Sequence, residues 1–94
     1  MIVRILGEGQ WRIEDAKRPE LNVLDDEIEA AVRADDQERL GAALTRLHDR
    51  VRAIGAELPL DELADSDLIL PETDASLADV RALLSESGEG LIPD

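Results

Sequence analysis

The sequence predicts a small α+β domain: an N-terminal β-hairpin, an antiparallel αα-hairpin, a short third strand that completes a small antiparallel or mixed sheet, and a short third helix. Three observations predict it. Residues 1–13 alternate apolar and polar side chains with period two on either side of a Gly-x-Gly turn. Two longer segments then repeat apolar residues at helical spacing. Leu, Ile and Val make up 27 of the 94 residues, enough aliphatic side chain for one core in a chain of single-domain length, 1–94. Phe and Tyr are absent and Trp11 is the lone aromatic, so leucine must fill most of that core.

In the first strand Val3 and Ile5 alternate with Ile2, Arg4 and Leu6; in the second, Trp11 and Ile13 alternate with Gln10, Arg12 and Glu14. Inward faces match if a three-residue loop, Gly7-Glu8-Gly9, sets Ile5 opposite Trp11 and Val3 opposite Ile13, with Gly9 at positive φ. Arg4 and Arg12 then share the outer face. Because the strand pattern begins at Ile2, no leader is expected before it. Pro19 opens the first helix, where its missing N–H costs nothing. Leu21, Leu24, Ile28, Ala31 and Val32 form its stripe, and Val23 and Ala30 lie off it, which points to a second buried side. Asp35, with Glu38 three residues on, reads as the cap of the second helix. Leu40, Leu44, Leu47, Val51 and Ile54 form that helix's stripe, and Gly55 stands where a terminating glycine belongs.

Pro59 lies in an irregular acidic stretch, 58–67. Leu68-Ile69-Leu70 is a short strand stopped by Pro71. Ser76 and Asp79 form a capping box ahead of Leu77, Val80, Leu83 and Leu84, the third helix. Residues 85–94 read as a partly flexible tail whose Leu91-Ile92 pair can dock.

Composition excludes several functions. Without cysteine there is no disulfide, thiol nucleophile or Cys-ligated zinc, which fits a cytoplasmic protein. The apolar runs are too short to cross a bilayer. Net charge is −13, unevenly spread: residues 1–55 hold 12 acids and 9 bases, residues 56–94 hold 11 acids and one base, Arg81. No basic footprint for nucleic acid exists, and direct docking on an anionic membrane is disfavoured. Solubility alone accounts for such a charge; a basic protein partner is its natural complement.

No constellation carries catalytic chemistry. Asp61, Glu62, Asp65, Asp67, Glu72 and Asp74 lack the glycine and spacing of a calcium loop and read as a solvated acidic loop. Gly7-x-Gly9 lacks the third glycine and the helix of a dinucleotide fingerprint. His48, beside the second helix's stripe, reads as a surface or boundary histidine, with no nucleophile context near it. Arg39, Arg46 and Arg50 fall within about 40° of one another on the helical wheel. They pair internally with Asp25, Asp26 or Glu29, or form a partner-facing edge. Trp11 reads as core.

The stretch Met1-Ile2-Val3-Arg4-Ile5-Leu6-Gly7-Glu8-Gly9-Gln10-Trp11 resembles the start of the PspAA (PspA-associated) proteins. Glu20-Leu21-Asn22-x-Leu24-Asp25, Asp67-Leu68-Ile69-Leu70-Pro71, Leu77-x-x-Val80 and Gly88-Glu89-Gly90-Leu91-Ile92-Pro93 are similar to later parts of the same family. The resemblance runs end to end. It implies a cytoplasmic α+β protein of the phage-shock envelope-stress response that partners or regulates PspA, a coiled-coil membrane-protecting protein. It implies no catalytic residue and no cofactor, and contact with the membrane only through the partner. Candidate partner contacts are Arg4, Arg12, Arg39, Arg46, Arg50, Asp61, Glu62, Asp65 and Asp67. A homo-oligomer is compatible with the sequence. The rival expectations are an acidic nucleic-acid mimic that regulates a DNA-binding protein and, behind it, a small enzyme or ligand-binding domain.

Overall fold

A computed structural model describes residues 1–59 and 65–87. Strands β1 (Ile2–Ile5) and β2 (Gly9–Arg12) form the opening hairpin. A 3-10 turn, Asp15–Lys17, leads into helix α1 (Arg18–Arg33), and helix α2 (Gln37–Ile54) runs back along it. Strands β3 (Ala56–Glu57) and β4 (Leu68–Leu70) and helix α3 (Leu77–Ser87) follow. The sheet order is β3-β2-β1-β4, with β1–β2 and β2–β3 antiparallel and β1–β4 parallel. The sheet is therefore mixed, and the fold is the expected α+β one.

Alternation decides which face is buried. Val3, Ile5, Trp11, Leu68 and Leu70 point inward and meet Leu21, Ile28, Leu40, Leu44, Leu47 and Val51 of the helical hairpin and Val80 of α3. Arg4, Arg12 and Ile69 point outward and are exposed. Trp11 is core, at 6% exposure.

The hairpin register differs from the expected one by two residues. Val3 pairs with Trp11 and Ile5 with Gly9, and the loop is Leu6-Gly7-Glu8. The Glu8 N–H donates to Ile5 O at 3.0 Å, and Gly7 has φ +83°. That is the turn geometry that demands a glycine at its third position. A shift of two preserves the faces, so the inward set is unchanged. Ile13 instead faces Met1, exchanging hydrogen bonds of 2.8 and 3.0 Å with it.

Helix α1 buries one side only. Val23 is 62% exposed and Ala30 half-buried, so the second buried side does not exist. The cap of α2 is Asp36, whose Oδ1 accepts from the Arg39 N–H at 3.1 Å. Asp35 is displaced from that role because it occupies the left-handed position ending α1, with φ +55°. There the Asp35 N–H donates to Val32 O and the Asp36 N–H to Ala31 O, both at 3.0 Å. These two bonds close a Schellman motif. Gly55 ends α2 as expected but with φ −88°. Its lack of a side chain serves contact: a Cβ there would lie 2.7 Å from Ile13 Cδ1 and from Val51 O.

The capping box of α3 forms, with the Asp79 N–H donating to Ser76 Oγ at 3.1 Å and the Ser76 N–H reaching Asp79 Oδ2 at 3.5 Å. The helix continues to Ser87, so residues 85–87 are helical and do not belong to a tail. The Leu91-Ile92 pair lies outside the described residues.

Candidate functional site: an interaction surface

The arginine ridge of α2 is mostly engaged inside the molecule. Arg46 donates to Glu27 at 2.7 Å and Arg50 to Glu20 at 2.6 Å. The partners are carboxylates of α1, as the internal reading required, but not the Asp25, Asp26 or Glu29 it named. Asp25 is buried, at 5% exposure. It stands four residues after Leu21 and three before Ile28, on the stripe itself, and that spacing was the signal for its burial. Both ion pairs are exposed and contribute under about 1 kcal/mol each. Arg39 keeps an exposed side chain beside Glu27 and Arg46, at the edge of a shallow cleft.

Arg4 and Arg12 lie on the outer sheet face as expected, as diagonal neighbours across the β1–β2 ladder. Of the acidic candidates, Asp61 and Glu62 lie outside the described residues. Asp65 is exposed. Asp67 is bound into the fold: its Oδ2 accepts from the Ile2 N–H, and its own N–H donates to Ile2 O, both at 2.8 Å. This pair pins the start of β1 to the approach of β4.

His48 overturns its expected surface or boundary placement. It is 3% exposed, because its position on α2 turns the ring towards the buried Pro71 at the end of β4. Nε2 lies 2.7 Å from Pro71 O. A carbonyl oxygen only accepts, so Nε2 carries the hydrogen there. Nδ1 faces Glu8 at 3.9 Å, beyond hydrogen-bond range. Glu8 is held by Arg52 at 2.8 Å, and Arg52 also reaches Asp49 at 2.8 Å. The string Asp49–Arg52–Glu8 fastens the β1–β2 turn to α2.

Two other polar anchors escaped sequence reasoning. Arg81 donates to Val32 O at 3.1 Å and to Asp35 at 2.8 Å, tying α3 to the end of α1. Gln37 donates to Ala75 O and accepts from the Leu77 N–H, both at 2.9 Å, holding the entry to α3. Neither pairing follows from spacing, since the contacts span 38 to 49 residues of chain.

What remains open is surface. Of the exposed large hydrophobic residues, Leu6 (44%) and Ile69 (50%) line one groove beside α3. Among the described residues, no group of three or more His, Asp or Glu is placed to hold a metal ion. None of the described helices is long and apolar enough to cross a membrane. Comparison with curated proteins and with solved structures gives no match. The family model for PspAA, described as PspA-Associated protein, matches residues 1–94. The fold of short sheet, helical hairpin and capped third helix is thus carried by a chain that belongs, along its whole length, to the PspAA family.

Proposed function

We propose that this protein is a non-catalytic adaptor that partners a PspA-type coiled-coil protein in the phage-shock envelope-stress response, in the cytoplasm, and meets the membrane only through that partner. The observation that carries the reading is the family match over residues 1–94. Charge supports it: residues 56–94 hold eleven acids against one base, a balance that favours a basic partner. So does the commitment of polar groups to the fold. His48 is engaged by a backbone carbonyl, and Arg46, Arg50, Arg52 and Arg81 by carboxylates. Adaptors act through the surface that such internal pairing leaves over.

Co-expression with a PspA-type protein from the same source, followed by affinity purification at low and at high salt, tests the reading. A complex at low salt that weakens as salt rises is the expected outcome. Absence of a complex at both salts overturns the partnership.

A further inference from the structure

We infer that the groove between β4 and α3 is the docking site for a basic amphipathic helix of the partner. The groove encloses about 640 Å³. Leu6, Ile69 and Leu83 give it an apolar lining. Glu72, Asp74 and Asp79 also line it, and no Lys, Arg or His does. The carboxylates of Glu72 and Asp74 make no ion pair or side-chain hydrogen bond among the described residues, so their charge is free for an outside partner. Asp79, Ala82 and Leu83 stand at i, i+3 and i+4 on α3 and form a ridge of the kind that fits between the side-chain rows of another helix. Ala82 keeps that ridge low, which allows close approach.

Chemistry selects the occupant. A small ligand needs convergent donors and acceptors, whereas the ionised side chains here only accept. The chain's own segment 88–94 carries Glu89 and Asp94 and no base, so its charge has the sign of the groove. A second copy brings a net charge of −13. A helix with a Leu or Ile stripe flanked by Lys or Arg matches both the apolar and the acidic lining residues, the helix-in-groove mode.

The assignment deepens the partnership proposed above, and two arms keep the two separable. In the first, affinity for the PspA-type protein is measured for the wild type, Ile69→Glu, Glu72→Arg, and two controls outside the groove, Val23→Glu and Glu14→Arg. Each control makes the same charge change as its counterpart, so generic attraction shifts equally. The expected result is a loss of about 30-fold for Ile69→Glu, the size of an interface hot spot, and about 10-fold for Glu72→Arg, with the controls within about two-fold. If the wild type binds and the groove variants bind as well as their controls, the groove assignment falls while the partnership stands. In the second arm a synthetic Lys/Leu amphipathic helix replaces the PspA-type protein. If the wild type and Val23→Glu bind this helix and Ile69→Glu loses it, the groove stands even where the partnership has failed. If Ile69→Glu and Val23→Glu bind it equally, or the wild type does not bind it, the groove assignment is overturned. Sedimentation of the chain alone closes the remaining route: a wild-type dimer that Ile69→Glu splits would assign the groove to self-association instead.

Discussion

Gly55 shows how a single side chain can be forbidden by space alone. Its φ of −88° suits any residue, but an added Cβ would lie 2.7 Å from Ile13 Cδ1 and 2.7 Å from Val51 O, and 3.0 Å from Trp11 Cβ. The isoleucine methyl can swing away; the Val51 carbonyl, part of the last turn of α2, cannot. Gly55→Ala is therefore expected to cost about 1–3 kcal/mol, the usual range for overpacking, read from the midpoint of urea unfolding. A cost near zero would mean that the β3 side of this junction yields freely. His48 poses the opposite problem, a buried acceptor that needs its donor. Pro71 is buried, and its carbonyl takes the Nε2 hydrogen at 2.7 Å. His48→Leu leaves that oxygen without water or partner, and a loss of about 1–3 kcal/mol follows. His48→Gln can still present an amide donor and should recover part of it. If leucine and glutamine unfold at the same urea concentration, the contact to Pro71 contributes nothing and the ring is held by packing alone.

At the scale of elements, the α1–α2 junction folds two signals into the three residues between Arg33 and Gln37. Asp35 ends one helix in the left-handed position and Asp36 caps the next. A residue with a Cβ pays about 1 kcal/mol or more for that backbone where glycine does not. Asp35→Gly should therefore be more stable than Asp35→Ala by about 1 kcal/mol in thermal or urea unfolding. Both variants lose the Arg81 pair, so the difference isolates φ; equal stabilities would show that the turn relaxes to negative φ. This junction also shows where sequence reasoning stops. Two adjacent aspartates offer the same capping chemistry, and only the hydrogen bonds of the preceding helix decide between them. Alternation placed Val3, Ile5 and Trp11 inward, and the Ser76–Asp79 spacing announced α3, because both signals are local. The hairpin register was not legible, since Gly7 and Gly9 both accept positive φ and either loop keeps the faces. Nor was β3: Ala56 and Glu57 are both exposed and exist as a strand only through pairing with Trp11 and Arg12. The arginine partners depended on how far α2 slides along α1, which no spacing encodes. The groove beside α3 draws on Leu6, on Ile69 and the residues just after β4, and on Asp79, Ala82 and Leu83, which only the parallel pairing of β4 with β1 and the packing of α3 bring together.

The whole molecule carries a net charge of −13 in a body of 38 × 26 × 23 Å. Two electrostatic effects oppose one another in it. The unbalanced carboxylates repel across the domain, while the arginines of α2 and α3 hold carboxylates at contact distances of 2.6–2.8 Å. Range decides which effect salt removes first. The screening length is about 30 Å at 0.01 M salt and about 10 Å at 0.1 M. At the lower salt, repulsion acts across the full width of the domain; at the higher, only between near neighbours. The contact pairs lie well inside either length and lose less, and each is worth under about 1 kcal/mol to begin with. Stability should therefore rise as NaCl increases from about 0.01 to about 0.15 M, seen as a higher midpoint of thermal unfolding by circular dichroism. A midpoint that falls with salt would show that the ion pairs outweigh the repulsion. The same salt change should have the reverse effect on the proposed complex with a basic partner, whose long-range attraction to a domain of net charge −13 is screened over the same interval. A fold that tightens while its complex loosens, over one titration, is the signature of charge kept for recognition at the expense of the free domain.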